Sequence, residues 1–521
     1  MKHLTSRIAP SAILLLAMGG GCTIAPAPTH SRASDDATPG FNHRIPESIL
    51  TPDVVETPIG TMRFFDGFPD EGTVELVYDN LDRSRAMEAF LDFIPMASLE
   101  ALRLGQETLG ATEPNQVLVF SDLMTSDSLF LTGNTDTVYA SAFFALDETG
   151  PMVIEVPPGA GPGTVNDAYF RFVTDMGGPG PDRGKGGKYL VLPPDWEGDV
   201  PDGYFTSTSP TFSNWVILRG FLEDGKTDAA VDMWTNGLRI YPLSEAANRP
   251  EVEVFNGTGK VFNTIHANDS TFFDEVNEVV QREPIDALDP EIRGNLASLG
   301  IQMGRPFEPD DRMRRLLAEG VAMGNATARA LSFRPRSDSV FIYGPESSWY
   351  TAFDGGDYRW LKDGGDGGRN HDARTQFFYI ATVNTPAMVL KIPGVGSQYA
   401  LAATDSEGRY LDGATDYSLT LPPDVPANKF WSIVAYDPQT RSMLQTDQPY
   451  PSINSVRNTD LQTNADGSTT IWFGPTAPEG RETNWIQTVP GKGWFTLLRL
   501  YGPLEPWFDQ TWRPGEIISI D

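Results

Sequence analysis

The sequence predicts a mainly β protein with a helical unit in its middle, from three observations. From Val117 to about Leu222, short runs rich in Val, Ile, Phe and Tyr are separated by Gly, Pro and Asp turns, which is typical of antiparallel sandwiches and barrels. From about Ser270 to Leu331, apolar residues recur at helical spacing. From about Ala381 the short-strand pattern returns and continues to the end of the chain.

The individual strands are indicated by runs of β-branched and aromatic residues between turn residues. In the first β region they are Val138 to Leu146, Met152 to Val156, Ala168 to Thr174, Tyr189 to Leu192 and Trp215 to Phe221. In the second they are Phe430 to Tyr436, Thr469 to Phe473 and Trp494 to Tyr501, with a hairpin turn at Asp466-Gly467. Because strand side chains alternate, Arg499 and Tyr501 should share one face of the last strand.

Three segments have the apolar stripe of an amphipathic helix. The first runs from Asp82 to Leu104, and Pro95 should kink or divide it. The second carries its stripe from Phe272 to Val280 and stops before Pro284, and the third carries it from Met313 to Gly324.

Composition excludes several classes of function. The 521 residues include 70 Asp and Glu against 39 Lys and Arg, which gives a formal net charge of −31. Hydrophobic residues make up 40%, enough for a globular core. Such an acidic chain repels phosphate, so we expect no nucleic-acid partner.

The N-terminus resembles a bacterial lipoprotein signal. Lys2 and Arg7 precede an eleven-residue apolar run from Ile8 to Met18, and small residues then lead to Cys22, the only cysteine. We therefore expect a signal peptide over residues 1–21 and export to the periplasm or outer membrane, with a lipid anchor on Cys22. The alternative is ordinary signal cleavage that leaves Cys22 lost or unmodified.

The rest of the chain is expected to stay outside the membrane. Residues 22–40 are rich in Pro, Ala, Ser and Thr and should form a disordered tether. No other apolar run approaches the length of a membrane span, so any contact with the membrane should be by the anchor alone.

A motif search returns no cofactor site. The sequence lacks an HExxH helix, a GxSxG elbow and a dinucleotide fingerprint, and it holds only five histidines. The segment Gly184 to Lys188 fails the spacing of a phosphate-binding loop and fits a hairpin. We expect no cofactor, with calcium as a weaker alternative in one acidic loop.

That loop, Trp349 to Asp372, combines carboxylates, aromatic rings and six glycines. Aromatic rings beside carboxylates suit a glycan or another polar ligand, whereas carboxylates on a Gly-rich loop suit calcium. The third interpretation is a solvated loop whose rings pack on the protein. The candidate ligand-binding residues are Trp349, Tyr358, Trp360, Asp363 and Asp366.

Polar residues on predicted strands are the candidates for catalysis. The segment Asn134 to Tyr139 leads into an apolar strand, and the odd positions from Asp167 to Asp175 should share one polar face. The structural alternatives are turn caps and a satisfied Arg–Asp ion pair. The weak catalytic candidates are Asp136, Tyr139, Arg171, Asp175, Arg499 and Tyr501.

These segments carry a resemblance to a tandem family. NTDTVY (residues 134–139), GPMVI (150–154), DAYF (167–170) and GKYL (187–190) resemble domain of unknown function 1254. FWSI (430–433), NADGS (464–468), IWFGP (471–475), NWI (484–486), GKGWFTLLRLYGP (491–503) and WRPG (512–515) resemble domain of unknown function 1214.

The resemblance implies a fold but no settled activity. It implies an N-terminal immunoglobulin-like β-sandwich with preceding helices (residues 41–268), a small helical unit (269–335) and a C-terminal jelly roll (336–521). No catalytic residue can be carried over from the family.

Two functions remain open. The first is an exported cell-envelope lipoprotein that binds a glycan or another polar small ligand; a homo-oligomer is compatible with it. The alternative is a cofactor-free hydrolase or lyase that uses Asp, Tyr and Arg groups where the two β domains meet. Convergence of the catalytic candidates in one pocket would favour the enzyme.

Overall fold

A computed structural model describes residues 37–520. The predicted signal peptide, the predicted lipidation site Cys22 and most of the predicted tether lie outside these residues. Within the described residues, the chain divides into two compact units, one ending at Tyr78 and the other beginning at Asp79. With 27% of residues helical, 26% in strands and several separate sheets, the mainly β multi-domain class is confirmed. No helix within residues 37–520 has the length and apolarity needed to cross a membrane.

The first unit contains a small antiparallel meander of β1 (Val54–Thr57), β2 (Gly60–Phe65) and β3 (Phe68–Pro69). Helix α1 (Glu71–Glu107) then begins, because the Asp70 side chain accepts the Thr73 backbone N–H at 2.7 Å. The helix starts eleven residues before the predicted Asp82 and runs through Pro95 without dividing.

The second unit opens with a β-sandwich. One sheet has six strands in the order β14-β4-β6-β12-β8-β9, the other has four in the order β11-β10-β7-β13, and β5 and β15 form a separate pair. Apolar side chains from both sheets form a common core. The strands are β4 (Gln116–Val119), β5 (Ser128–Leu129), β6 (Val138–Ala145), β7 (Met152–Val156), β8 (Gly163–Asp167), β9 (Phe172–Met176), β10 (Gly187–Leu192), β11 (Phe205–Thr208), β12 (Ser213–Gly220), β13 (Arg239–Pro242), β14 (Glu253–Asn256) and β15 (Phe262–Asn263).

One predicted strand, Ala168 to Thr174, is wrong at its start. Asp167 ends β8, and its carboxylate accepts the backbone N–H groups of Tyr169 and Arg171 at 2.9 and 2.8 Å, which folds the chain into a tight turn. Asp167 and Asp175 therefore lie on different strands, and no common face runs between them. Asp405 and Arg409 form the same Asp-x-x-x-Arg turn in the C-terminal half.

Among the helices that follow are the two whose apolar stripes were predicted from Phe272 and from Met313, and both bury most of their stripe. Two short helices, α2 (Leu146–Thr149) and α3 (Asp228–Asp232), belong to the sandwich. The others are α4 (Phe272–Arg282), α5 (Pro290–Ser298), α6 (Asp311–Phe333), α7 (His371–Ile380) and α8 (Pro386–Val389). Helix α6 approaches α1 closely because Gly320 has no side chain: a Cβ there would lie 2.4 Å from that of Ala86.

The C-terminal half pairs two four-stranded sheets, as in a jelly roll. Their orders are β16-β22-β18-β19 and β21-β20-β17-β23, and a short helix α9 (Glu505–Phe508) follows β22. The strands are β16 (Ser397–Ala402), β17 (Asp416–Leu421), β18 (Ala427–Tyr436), β19 (Ser452–Asn454), β20 (Thr469–Gly474), β21 (Trp485–Gln487), β22 (Phe495–Pro503) and β23 (Ile518–Ile520).

Strand β22 is buried on both faces. Leu498 and Leu500 point into the core between the two C-terminal sheets. Phe495 and Leu497 lie on the opposite face, in a core shared with the N-terminal sandwich and the helices. Arg499 has the same parity, so the alternation of the strand places it between the two β domains.

Candidate functional site

A cavity of about 660 Å³ lies where the sandwich and the jelly roll meet. Its lining comes from β6 and β12 on one side and from β16, β18 and β22 on the other, and α7 with residues 381–396 contributes a further wall. Most lining residues are apolar. The polar lining residues therefore indicate what the cavity can bind, because a few precisely positioned polar groups determine the specificity of an apolar pocket.

Two arginines reach the cavity from cross-strand Tyr–Arg pairs. Arg219 on β12 stands opposite Tyr139 on β6, and Arg499 on β22 stands opposite Tyr399 on β16. The Arg219 Nη2 donates to the Tyr139 hydroxyl at 3.3 Å, and its Nη1 donates to the hydroxyl of Ser397 at 3.4 Å. The Arg219 guanidinium carbon lies 5.5 Å from the ring centre of Tyr139, within cation–π range.

Arg499 is 5% exposed, and only some of the N–H donors of its guanidinium group make hydrogen bonds. Its Nη2 donates to the Thr132 carbonyl at 2.6 Å and to the Tyr436 hydroxyl at 2.7 Å. Its Nε is buried and has no hydrogen-bond partner in the described part of the chain. An orphaned buried donor of this kind is costly, so a ligand acceptor beside it would be stabilising.

A third cation, Lys429 on β18, lines the same cavity. Its ammonium lies 3.6 Å from the ring centre of Phe221. Lys429 is exposed to solvent, and partial desolvation by its neighbours, together with the positive charge of Arg219, lowers its pKa below the usual value. Arg219 and Lys429 thus bring like charges to the same cavity.

The three cations lack carboxylate partners. Within residues 37–520, no Asp or Glu oxygen lies within 4 Å of the charged nitrogens of Arg219, Lys429 or Arg499, although 22 such ion pairs form elsewhere in this range. Asp175 is the one carboxylate among the described lining residues, and burial raises its pKa to about 6. A chain with a net charge of −31 thus surrounds a positively charged cavity.

The phenol of Tyr399 interacts electrostatically with both Arg219 and Arg499. Burial by itself would raise the pKa of its phenol, but the charges of Arg219 and Arg499 outweigh burial and lower the pKa below its usual value of 10. The hydroxyl of Tyr399 also interacts with the side chain of Ser397. Among the described cavity-lining residues, Tyr399 is the tyrosine whose pKa is lowered by two arginines.

Asp136 joins the two domains behind this wall. It is fully buried, and its carboxylate accepts hydrogen bonds from Ser432 at 2.6 Å, Asn454 at 2.9 Å and Tyr501 at 3.1 Å, all three in the C-terminal domain. The Asn134 side chain accepts the Asp136 backbone N–H at 2.9 Å, which fixes the turn. The NTDTVY segment is thus anchored on the C-terminal sheet.

The catalytic candidates from the sequence separate into three groups. Tyr139, Asp175 and Arg499 line the cavity. Asp136 and Tyr501 bond to each other outside the lining, and the Tyr501 ring centre lies 5.5 Å from the Arg219 guanidinium. Arg171 lies outside the cavity lining.

Arg171 forms an ion pair with Asp167 at 2.6 Å and donates to the Ala287 carbonyl at 2.9 Å. This is the structural ion pair that the sequence left as an alternative.

The acidic loop does not bring its candidates together. Trp349 is fully buried and its Nε1 donates to the Gly515 carbonyl at 2.9 Å, while Trp360 is 3% exposed and packs among core aromatics. Tyr358 makes an edge contact with Phe172 at 5.8 Å. Both tryptophan rings belong to the core, which leaves their predicted ligand contacts without support from the geometry.

The loop carboxylates Asp363 and Asp366 stand on the exposed side of the loop. Across residues 37–520, no group of three or more His, Cys, Asp or Glu side chains is arranged to hold a metal ion.

Three residues of the site were missed from the sequence: Arg219, Tyr399 and Lys429. Arg219 gave a signal that could have been used, because it is the one charged residue in the apolar run from Trp215 to Phe221. Lys429 comes just before the strand predicted from Phe430 to Tyr436, and Tyr399 lies in a segment without a distinctive pattern, so only the long-range pairing of strands reveals them.

The family models match the two halves of this site. Residues 114–242 match the model described as "Protein of unknown function (DUF1254)", and residues 396–505 match "Protein of unknown function (DUF1214)". The first match includes Tyr139, Asp175 and Arg219, and the second includes Tyr399, Lys429 and Arg499. A comparison with curated proteins gives no match.

Two solved structures are similar. The VPA0106 protein from Vibrio parahaemolyticus is 18% identical, with a TM-score of 0.51 over 84% of this chain and 100% of that one. An uncharacterized protein from Burkholderia cenocepacia is 13% identical, with a TM-score of 0.38 over 86% of this chain and 97% of that one. At these identities the Vibrio structure shows a shared fold and nothing about function.

Proposed function

The chain is a tandem DUF1254–DUF1214 protein, and we propose that its two domains together bind a small organic anion in the cavity between them. One observation carries the proposal: Arg219, Lys429 and Arg499 line this cavity without carboxylate partners in the described chain. Arg499 is buried and Arg219 is half-buried, and charges removed from water are costly unless they are paired, so an anion in the cavity would stabilise both. The exposed Lys429 adds attraction for the same anion.

The walls support an organic anion over a glycan. A volume of about 660 Å³ lies in the range of small-molecule sites, and most of the lining offers no hydrogen-bond partner. The many hydroxyl groups of a glycan would be desolvated there without compensation, whereas an apolar body would gain from burial. An arginine fork also suits a carboxylate geometrically.

Acid–base catalysis on the bound anion is the second candidate. Tyr399 favours it, because a phenol whose pKa is lowered by two arginines can exchange a proton more readily at neutral pH. Binding needs only the unpaired cations, whereas hydrolysis or elimination also needs a scissile bond beside Tyr399. Binding is therefore the function that we put forward.

We place this activity outside the cytoplasm. The N-terminal pattern supports export and attachment through a lipid on Cys22, with the tether holding the folded body near the membrane. The proposed binding involves no cofactor and no nucleic acid, in keeping with the acidic composition.

The proposal is tested with two dyes that share an apolar body. Anilinonaphthalene sulfonate carries a permanent negative charge, and N-phenylnaphthylamine is its uncharged counterpart. A charged hydrogen bond contributes roughly 1.5–3 kcal/mol, so the sulfonate should bind at least about tenfold more tightly in fluorescence titrations. Competition between the dyes checks that they share one site. Equal affinities for the two dyes would contradict an anion site.

The pH dependence of this binding should follow Asp175. Its pKa of about 6 means that it is ionised at about pH 7.5 and largely neutral at about pH 5. The pKa values of Arg219 and Arg499 are raised, so both arginines stay charged throughout this range. Loss of that negative charge strengthens the attraction for an anion, so the sulfonate dye should bind roughly three- to tenfold more tightly at about pH 5. The neutral dye should show no such change.

Asp175→Asn provides the control for the pH dependence. The amide oxygen still accepts the hydrogen bond from Thr385, and no titration remains at this position. The sulfonate dye should then bind at about pH 7.5 as tightly as it binds wild type at about pH 5. A pH dependence that persists in the variant would show that another group is responsible.

A further inference from the structure

The walls of the cavity differ in chemistry. The polar wall is formed by the facing strands that carry Arg219, Tyr399, Lys429 and Arg499. The further wall, from α7 and residues 381–396, is mostly apolar in its lining, with Thr382 and Thr385 as its polar side chains. It includes Phe377, Ile380, Val383, Met388, Leu390 and Ile392.

The apolar surface continues from the cavity to the outside of the protein. We call residues 386–396 the lip. Leu390, Ile392 and Val395 line the cavity, and yet they are 47%, 45% and 51% exposed. Apolar side chains that stand together half in solvent and half against a cavity mark a place where an apolar ligand passes or protrudes.

The segment before the lip is held rigidly. Asn384 exchanges hydrogen bonds with Asn166: its backbone N–H donates at 3.0 Å, and its carbonyl accepts at 2.6 Å. Its side chain donates to the Phe170 carbonyl at 3.0 Å. Val383 is thereby held at a φ of 72°, which is strained for a β-branched residue, with its side chain in the cavity lining. The apolar wall is therefore preformed.

We propose that the ligand is a straight-chain alkanoate, with its carboxylate on the cations of the polar wall and its alkyl chain along the apolar wall towards the lip. The inference rests on the proposed anion site and adds the class of ligand. The guanidinium groups fit a planar carboxylate, and a flexible chain fits a cavity lined by Leu, Ile, Val and Met side chains. The open lip would accept chains of different length.

The test is a calorimetric titration of the full chain with hexanoate, octanoate and decanoate, below their critical micelle concentrations. The control ligand is 1-decanol, which has the same chain length as decanoate but no carboxylate. Each buried methylene should tighten binding about three- to fourfold, so decanoate should bind on the order of 100-fold more tightly than hexanoate. Decanoate should also bind at least about tenfold more tightly than 1-decanol.

The outcomes separate this inference from the proposed function. If the sulfonate dye prefers the cavity but alkanoates do not bind, or bind equally at every chain length, the alkanoate inference is overturned and the anion site stands. If decanoate and 1-decanol bind equally, the anion site itself is overturned.

A matched pair of variants tests whether the alkyl chain of the ligand reaches the lip. Ile392→Gln at the lip and Ile518→Gln on β23 replace isoleucines that are 45% and 54% exposed. The first should weaken decanoate at least about threefold and leave hexanoate nearly unchanged, because only the longer chain reaches the lip. The second should change neither. Equal effects of both variants, or equal losses for both alkanoates, would contradict the assigned path.

Discussion

Replacing Asp136 by Ala is expected to lower the free energy of unfolding by roughly 3 kcal/mol or more. The buried carboxylate accepts hydrogen bonds from Ser432, Asn454 and Tyr501, all of which are themselves at most 1% exposed. Removing it leaves three donors without an acceptor, and each unsatisfied buried donor costs about 1–3 kcal/mol. The measurement is urea unfolding followed by tryptophan fluorescence.

Two further variants make the measurement specific. Asp147→Ala removes an exposed aspartate from the same domain and should change stability by less than about 0.5 kcal/mol. Asp136→Asn keeps the size but offers one acceptor oxygen and an amide N–H₂ that opposes the donors, so it should also destabilise the protein. A loss below about 1 kcal/mol for Asp136→Ala would show that these hydrogen bonds do not hold the domains together.

This contact explains why the two domains act as one site. Asp136 belongs to the N-terminal domain, and its three donors belong to the C-terminal domain. The same C-terminal sheet that binds Asp136 also carries Arg499 and Lys429 towards the cavity. Neither domain alone contains the complete polar wall.

Much of the fold follows from local patterns in the sequence. Alternation over Trp494 to Tyr501 correctly placed Arg499 and Tyr501 on one face, because the period of a strand is independent of its partners. The stripe of α4 likewise predicted its buried residues and its end before Pro284. The turn at Asp167 was missed, because hydrogen bonds from its side chain to the backbone broke an apparently continuous strand.

The site was harder to predict because it depends on pairing between distant segments. Arg219 and Tyr139 meet through strand register 80 residues apart, and Arg499 meets Tyr399 across 100 residues. The composition of the acidic loop suggested a ligand site there, but Trp349 and Trp360 of that loop are buried in the core. The informative signal was a cation in an otherwise apolar strand, which is rare unless the charge has a partner.

Combined replacement of Arg219 and Lys429 by Gln is expected to weaken binding of the sulfonate dye by about 100-fold or more. Each cation loses a charged interaction with the anion in a setting where the apolar walls reduce screening. Neutral glutamines keep much of the side-chain volume, so the uncharged dye should lose less than about threefold. The double control Lys260→Gln and Arg305→Gln makes the same change in net charge at exposed positions outside the cavity lining.

The central claim is that the cavity cations bind an anion. It is tested most directly by the ratio of the two dye affinities, measured for wild type and for the Arg219→Gln/Lys429→Gln variant. Because both dyes share the same apolar body, the ratio isolates the interaction of the cavity cations with negative charge. We predict a clear preference for the sulfonate in wild type and in the exposed control, and a preference at least about tenfold smaller in the cavity variant, in which Arg499 is the remaining cation of the three. An undiminished preference in the folded variant would contradict an anion site in this cavity.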